Sequence, residues 1–359
     1  MNALPTTTEA PARLPARPKL LAGLPVLGRR GGELQIGLDP RHAMVISGLP
    51  KGVAEILRQL DGSRTSDAVL DAAGEHAGAM CDVLAGLTEA GLLEDAAGAP
   101  RPAPCQLRQD AVAAVLRAKH NVDVGRGAGR LRRTGDALID ARARGYVRVI
   151  GDGRLAIGIA CSLAGAGVGR VRVQAEGRVR QEDLGCGYTS TDLGMHRSRA
   201  AARAIRAAAT GTPRHRSRSG PELVVLADAA VPLPDLVHPL VAECVPHLLV
   251  HVREGRGLVG PLVVPGRTSC LRCADLHRAD RDPCWPTVAG QLAGRALPAD
   301  LAGATATVAF AAGQVLALLE RTPSVPPPVW NAQVEVDPFA CAVRRTAWPP
   351  HPACGCCRA

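Results

Sequence analysis

The chain has 359 residues, which is long enough for two domains. Hydrophobic residues make up 47% of it but aromatic residues only 2%, so the core must be built from Leu, Val, Ala and Ile. The formal net charge of +10 favours an anionic partner such as nucleic acid, a phosphate ligand or an acidic peptide. The arginine content of a GC-rich genome would produce the same sign of charge without any partner.

The first 17 residues are rich in Pro and Thr and lack the apolar segment of a secretory signal, so we expect a disordered tail over 1–17. No uninterrupted apolar run is long enough to cross a bilayer, which predicts a protein without a membrane span. Together these features favour a cytoplasmic location, where cysteines are thiols or metal ligands rather than disulfides.

The segment 18–96 is predicted to form an α+β module with a winged-helix-like layout. "ELQIGL" and "AMVISGL" alternate in polarity as short strands do. Three helical segments follow, namely "KGVAEILRQLDG", "TSDAVLDAAG" and "MCDVLAGLTEAGLL", and Thr65 and Ser66 are good residues to begin the second. Residues 97–140 are predicted to be a Pro/Ala linker and a basic helical lead-in.

The segment 141–359 is predicted to be a doubly wound, Rossmann-type α/β domain. "YVRVI", "GDGRLA", "LAIGIACSLAGAG" and "GRVRVQA" form a strand, a turn, a helix and a parallel strand. Gly151 and Gly153 in the turn would let a phosphate approach the start of the helix. Ala156 replaces the third glycine of the dinucleotide motif, and "QAE" stands where an acidic residue should end the second strand. A Rossmann-type unit that binds no nucleotide is therefore the alternative.

Cysteine spacing predicts a metal site that closes the C-terminus of this domain. Cys270-x-x-Cys273 and Cys354-x-x-Cys357 have the spacing of two knuckles that together hold one tetrahedral zinc ion. Four thiolates leave no open position for water, so the predicted zinc is structural. Cys356 lies inside the second knuckle and can replace a neighbour as ligand. Two unrelated cysteine pairs are the alternative interpretation.

The order of elements after residue 140, the "GAGVGRVRV" passage and the cysteine spacing resemble the ThiF/MoeB-like (ubiquitin-activating-type) adenylating family. Members of that family bind ATP and adenylate a C-terminal carboxylate. The resemblance implies a nucleotide site at Gly151, Gly153, Arg197 and Asp228, if a nucleotide binds at all. Arg197 takes the place of the family's lysine, and Asp228 takes the place of its Mg²⁺-associated aspartate.

Most of the other charged groups of that family have no counterpart here. The Asp-x-Asp pair falls on Ala175 and Gly177, and the Asn and Arg that approach the phosphates fall on Asp183 and Cys186. Ala229 follows Asp228 where the family has Asn. Phosphoryl chemistry needs cations on the leaving phosphates and carboxylates on Mg²⁺. We therefore expect a scaffold without ATP/Mg²⁺ adenylation, and no catalytic residue is assigned.

The N-terminal segment resembles the PqqD-like peptide-recognition module, through "LP" before the first strand, "LDGSRT" between helices and "GLL" at the end. In that family a leader peptide adds as an extra strand and lies against the third helix. The corresponding residues here are Met44, Val45, Ile46, Ser47, Met80, Val83, Leu84 and Leu87. The apolar residues among them can equally belong to the core.

The two resemblances combined are typical of the leader-binding ("ocin-ThiF-like") component of azole/azoline bacteriocin biosynthesis. The chain would bind a precursor leader and present it to a separate YcaO-type cyclodehydratase, as a non-catalytic component. The resemblance to the adenylating family also implies a homodimer. One alternative is an active adenylyltransferase acting on a peptide or protein C-terminus. Another is a winged-helix DNA-binding regulator, which Asp82 and Glu89 on the third helix disfavour because they would repel phosphate.

Overall fold

The computed structural model describes residues 14–21, 23–38, 43–97, 105–124, 135–210, 220–320 and 327–355. The chain divides into two compact units, residues 1–140 and 141–359. Residues 16 and 17, which the sequence places in the tail, donate backbone hydrogen bonds to the Asp95 carboxylate at 2.9 Å. The ordered part of the first unit therefore begins before residue 18.

The first unit contains a three-stranded antiparallel sheet and the three predicted helices. Within the described residues its elements are β1 Pro18–Leu20, β2 Val26–Gly28, β3 Leu34–Ile36, β4 Met44–Ile46, α1 Lys51–Arg58, α2 Ser66–Ala73, α3 Ala77–Glu89, β5 Leu93–Asp95, α4 Arg108–Val124 and α5 Gly135–Arg144, the last of which continues into the second unit. The sheet has the order β2-β3-β4, and β1 pairs separately with β5. As predicted, Thr65 caps α2, because its hydroxyl accepts the Ala68 N–H at 3.2 Å.

The core of the first unit lies between the sheet and the helices. Alternate residues of β3 and β4 point into it, because successive strand side chains face opposite sides. The members of this core include Leu34, Ile36, Met44, Ile46, Val53, Leu57, Met80, Val83, Leu84 and Leu87. These are aliphatic residues and Met alone, as the composition requires.

The second unit is an α/β fold around one seven-stranded sheet of order β12-β11-β10-β9-β8-β6-β7. Its described elements are β6 Tyr146–Ile150, α6 Arg154–Gly165, β7 Arg170–Gln174, α7 Arg197–Ala208, β8 Leu223–Ala227, α8 Pro234–Ala242, β9 His247–Arg253, β10 Arg256–Val263, α9 Leu271–Arg281, α10 Trp285–Leu292, α11 Leu301–Glu320, β11 Ala332–Asp337 and β12 Ala342–Ala347. Strands β7, β6, β8 and β9 run parallel, and β10, β11 and β12 continue the sheet antiparallel. The predicted strand, turn, helix and parallel strand are confirmed.

Helices cover both faces of this sheet, and β8 shows how the sequence specifies that arrangement. Leu223 and Val225 pack with α6 and α11, whereas Val224 and Leu226 pack on the other face with α8 and α9. A strand buried on both sides must be apolar throughout, and β8 is the continuous run "LVVLA".

Helix α11 corrects one expectation from the sequence. By length and composition Leu301–Glu320 is apolar enough to cross a membrane. In this structure Ala304, Val308, Ala311 and Val315 pack into the core against the sheet. We therefore interpret α11 as the core helix of the second unit, which is apolar because it packs against the sheet on one side and against α6 beside it.

A buried ion pair joins the ends of α5 and α11. The Arg142 side chain is fully buried, and its Nε and Nη2 donate to Glu320 Oε1 at 2.8 and 2.6 Å. Its Nη1 donates to the Ala166 carbonyl at 3.1 Å. Removing one partner of such a pair typically costs several kcal/mol, roughly 3–5, because the other charge stays buried.

Candidate functional site

A cavity of about 220 Å³ opens at the carboxyl ends of β6, β7 and β8. The chain passes from β6 to β7 on one side and then to β8 on the other, so β6 and β8 flank the topological switch point of the sheet. Ligands of open α/β sheets bind in this crevice. The described residues that line it include Ile150, Gly151, Asp152, Gln174, Glu176, Leu226, Ala227, Asp228, Leu233 and Leu236.

Asp228 occupies the start of α6, where the resemblance implies a phosphate. The Gly153 N–H donates to Asp228 Oδ2 at 2.9 Å, and the Leu155 N–H donates to Oδ1 at 3.2 Å. These are the free donors of a helix N-terminus, which otherwise attract an anionic ligand. The chain thus satisfies its own anion site with a side chain from the end of β8.

Both predicted glycines leave room for this carboxylate, and at Gly151 a Cβ would also lie 2.8 Å from the Ala227 carbonyl oxygen. A Cβ at Gly151 would lie 2.5 Å from Asp228 Oδ2, and a Cβ at Gly153 would lie 2.6 Å from Oδ1. Such distances are far below van der Waals contact, so no side chain fits at either position while Asp228 is in place. The absence of a side chain at these two glycines therefore leaves room for the Asp228 carboxylate.

Burial raises the pKa of Asp228 to about 6, against the lowering effect of the bonds from Gly153 and Leu155. The backbone of Asp228 is also unusual, with φ of 72°, in the left-handed region that non-glycine residues seldom adopt. Such conformations persist where surrounding contacts hold them.

Arg197 forms an ion pair with an acidic side chain and is not available to bind a phosphate. Its Nε and Nη2 donate to Asp183 Oδ2 at 3.1 and 2.7 Å, and its Nη1 donates to the Glu176 carbonyl at 2.9 Å. Both side chains are nearly buried. Arg197 and Asp183, which the resemblance aligns with a Lys and an Asn of the adenylating family, form an ion pair with each other.

Carboxylates dominate the polar lining of the cavity. Asp152, Glu176 and Asp228 all line it, and no Lys or Arg is among the described lining residues. Glu176 lies two residues beyond β7, close to the position from which an acidic residue reaches a ribose in Rossmann folds. The sequence interpretation of "QAE" expected no acidic residue at the end of β7, and Glu176 lies in the cavity lining just past that end.

Three of the four predicted metal ligands come together on the sheet face covered by α8 and α9. The Cys270 Sγ lies 3.8 Å from the Cys273 Sγ and 3.6 Å from the Cys354 Sγ, and all three thiols are buried. Zinc–sulfur bonds of about 2.3 Å in a tetrahedron place neighbouring sulfurs about 3.8 Å apart. The cluster can therefore hold a metal with this geometry. Cys356 and Cys357 lie outside the described residues.

A second polar cluster, missed by the sequence reasoning, lies beside these thiols. His277, Asp280 and His351 bring potential ligand atoms within 4.8 Å of one another. The Ala353 N–H donates to His351 Nδ1 at 3.1 Å, so Nε2 carries the proton and donates to Asp280 at 2.8 Å. In this tautomer, His351 connects α9 to the segment that carries Cys354 through hydrogen bonds. Residues 277 and 280 share a helix face, but their partner is 71 residues away and gives no local signal.

The predicted peptide-contacting residues separate into buried and outward-facing groups. Met44 and Ile46 of β4 and all four residues named on α3 are buried in the core of the first unit. Val45 and Ser47 point outward from the strand. The core interpretation therefore applies to the buried side chains, and only the outward part of β4 is accessible to a peptide.

The hydrogen-bond register decides which backbone groups of β4 are free. The Arg29 N–H donates to the Glu33 carbonyl at 2.8 Å, and the Gly37 N–H donates to the Pro25 carbonyl at 2.9 Å. Antiparallel ladders alternate between bonded and non-bonded pairs. Odd-numbered residues of β3 therefore bond β2, and even-numbered ones bond β4.

In β4 this alternation means that the N–H and C=O groups of Val45 point away from β3, toward the open side of the sheet. Leu34 pairs with Ile46, and Ile36 pairs with Met44, as the bonded pairs of β3 and β4. Within the part of the chain that the structure describes, the Val45 N–H and C=O have no hydrogen-bond partner. β4 is thus an open edge that can accept one more strand.

The second unit is a Rossmann-like α/β domain with a cavity at the switch point of its sheet. No family model and no curated protein matches the chain. Among solved structures, the microcin C7 biosynthetic enzyme MccB in complex with N-formylated MccA is similar, with TM-score 0.63 and 14% identity over 95% of this chain and 99% of that chain. Escherichia coli MccB with ATP has TM-score 0.64 and 14% identity over the same shares. PaaA has TM-score 0.64 and 17% identity, over 91% of this chain and 98% of that one. At these identities the likeness establishes the fold, and it extends over both units.

Replacing Cys273 by Ser should remove about one equivalent of metal per chain and lower the melting temperature, since metal binding contributes to folding. Metal analysis of the purified protein by mass spectrometry checks this. Cys284→Ser, at an exposed thiol before α10, is the matched control and should keep the metal. Full metal content in the Cys273 variant would contradict a site at the thiol cluster.

The raised pKa of Asp228 predicts a pH-dependent stability. Because the folded state binds the proton more tightly than the unfolded state, with a pKa of about 6 against 3.8, stability should fall as pH rises from about 4 to about 6. Asp228→Asn should lose this slope, whereas Asp235→Asn keeps Asp228 and should retain it. Melting temperatures measured across this pH range test the prediction. Identical slopes in the wild type and Asp228→Asn would refute it.

Proposed function

We propose that this chain binds the leader of a ribosomally made precursor peptide and presents it to a separate YcaO-type cyclodehydratase. The observation that carries the proposal is the open edge of β4, where Val45 offers one N–H and one C=O to a further strand. Main-chain bonds of this kind bind peptides by strand addition, with pockets between outward side chains giving selectivity. The net charge of +10 suits an acidic leader.

The whole-chain likeness to MccB supports peptide binding. MccB has been solved with MccA, and its fold matches both units of this chain rather than the α/β domain alone. The proposed first unit is a PqqD-like, winged-helix-like recognition module, and the proposed second unit is a ThiF-like domain closed by a structural zinc ion. Cys357 would supply the fourth thiolate.

The site geometry supports a role without adenylation. Asp228 bonds the N–H groups that would bind phosphate, and Asp183 neutralises Arg197. A triphosphate would need both groups rearranged before Mg²⁺ and cations could stabilise the leaving pyrophosphate. On this proposal the partner cyclodehydratase supplies the ATP chemistry.

An active adenylyltransferase is the second candidate, because MccB has also been solved with ATP. Exchange of radiolabelled pyrophosphate into ATP distinguishes the two. We expect no exchange above background with the purified chain, alone or with a precursor peptide. Exchange that depends on the chain and is lost in Asp228→Asn would favour the adenylyltransferase.

Replacing Val45 by Pro should weaken leader binding at least about tenfold. Proline has no backbone N–H, so the outward hydrogen bond to a carbonyl of the added strand would be lost. The bonds between β3 and β4 do not involve that N–H, so the module should stay folded. The probes are labelled synthetic peptides that span the short reading frames beside the gene, titrated by fluorescence anisotropy.

Val26→Pro is the matched control for this prediction. Val26 pairs with Ile36 as a non-bonded pair, so its N–H also points outward, but from β2 at the opposite edge of the same sheet. We expect Val26→Pro to bind as the wild type does. Equal affinities of the wild type and Val45→Pro, with both folded, would exclude the β4 edge as the docking strand.

A further inference from the structure

The sheet of the second unit carries three arginines on one face at its β7 edge. In the parallel register of β6 and β7, Tyr146 pairs with Arg170, and Arg148 pairs with Arg172. Paired residues of neighbouring strands face the same side of a sheet. Val147, which lies between the two pairs, points into the core with α6 and α11. The side chains of Arg148, Arg170 and Arg172 therefore lie together on the opposite face, called the arginine face below.

Two of these charges lie side by side without a counter-ion. The side chains of Arg148 and Arg172 form no ion pair or hydrogen bond with a described residue, and Arg148 Nε is buried without a partner. Glu222, whose N–H donates to the Tyr146 carbonyl, makes no ion pair with either. The Arg170 guanidinium lies over the Tyr146 ring, 4.4 Å from its centre, and adds a third positive charge. Because like charges on neighbouring strands lower stability, a bound anion would relieve this face.

Strand β7 is also an open edge of the seven-stranded sheet. Its even-numbered residues bond β6, since the Arg170 N–H donates to the Gly145 carbonyl at 3.0 Å and alternate residues bond the same neighbour. The N–H and C=O groups of Val171 and Val173 therefore point outward, and they have no partner among the residues that the structure describes. An edge with free backbone groups can accept a further strand.

The arginine face and the open edge together define the chemistry of an added strand. Successive side chains of a strand alternate between the two faces of a sheet. Every second residue of the added strand would therefore lie near Arg170 and Arg172, where a carboxylate is favoured. The residues between them would lie beside Val171 and Val173, which pack partly against the core, and apolar side chains suit that position.

Two other occupants are disfavoured by the same side chains. A second copy of β7 would bring further arginines to a face that already has unpaired ones. Single-stranded nucleic acid is bound through aromatic side chains on which bases stack. The ring on this face, Tyr146, is buried under Arg170 and offers no stacking surface.

We propose that the arginine face and the β7 edge dock a partner protein through an extended segment in which acidic and apolar residues alternate. Main-chain bonds to Val171 and Val173 align the segment, and its carboxylates lie against the guanidinium groups of Arg148 and Arg172. The proposal rests on the proposed function in one respect, because the partner is the enzyme that receives the presented peptide. The docking surface belongs to the second unit and does not use the β4 edge.

The test uses two fluorescein-labelled peptides of equal length and composition, one of strictly alternating Glu and Val and one of Glu-Glu-Val-Val repeats. Both are titrated with the full chain by fluorescence anisotropy at low ionic strength. We expect the alternating peptide to bind at least about fivefold more tightly, because only its carboxylates all lie on one face of a strand. Equal affinities, or no binding of either peptide, would overturn the proposal. So would an oligothymidylate that binds more tightly than the alternating peptide and loses affinity in Arg172→Gln.

Variants of the second unit test the residue assignments. Arg172→Gln should weaken the alternating peptide about fivefold, the upper range for one exposed ion pair, and Val171→Pro should weaken it by removing an outward N–H. Arg206→Gln is the matched control, because it removes the same charge from an exposed site on α7, which packs on the other face of β7, and it should bind as the wild type does. Arg172→Gln should melt at or above the wild-type temperature, since it relieves repulsion. Unchanged affinity or a clearly lower melting temperature in Arg172→Gln would overturn the assignment.

Failure here is separable from failure of the proposed function. If leader peptides bind through β4 and no acidic peptide binds the arginine face, only this inference falls. If the alternating peptide binds as expected and Val45→Pro leaves leader affinity unchanged, only the proposed function falls. Leader affinity that drops in Arg172→Gln would assign the β7 edge to the leader and overturn the docking of a separate partner.

Discussion

The contact on which the second unit depends is the one between the Asp228 carboxylate and the first N–H groups of α6. It accounts for the absence of a side chain at Gly153 and contributes to that at Gly151, and it lowers the pKa of Asp228 against the stronger raising effect of burial. It also determines the chemistry of the cavity, since the donors that would bind phosphate already have an internal anion. The Rossmann-like architecture is thus combined with a helix start that is occupied by a carboxylate of the same chain.

The first unit presents a different kind of site, which is made of backbone rather than side chains. Its apolar residues are used almost entirely in the core, so the proposed peptide contact on β4 is confined to Val45, Ser47 and the free edge. Binding by a strand edge tolerates many peptide sequences, and selectivity must come from outward side chains and charge. An open strand edge, together with a helix start bonded to a carboxylate of the same chain, supports the proposed role in presenting a peptide to another enzyme.

The sequence predicted much of this fold because the signals are local. A continuous apolar run such as β8 must be buried on both faces, and Thr65 can cap α2 through a residue only three positions away. The thiol cluster was also predictable, because paired Cys-x-x-Cys spacings need little else. The Asp228–Gly153 bond joins residues 75 apart, and the side of β4 that Val45 faces depends on turns in another hairpin. No periodicity encodes such relations. The place of Glu176 in the cavity lining was not predicted, because it lies two residues past the end of β7.

The central claim is that Asp228 excludes phosphate from the start of α6, and a crystal structure of the chain grown with saturating ATP and Mg²⁺ tests it most directly. We predict that the Asp228 carboxylate stays bonded to the Gly153 N–H and that no triphosphate density appears beside it. A triphosphate at the start of α6, with Asp228 turned away to coordinate Mg²⁺, would contradict the account.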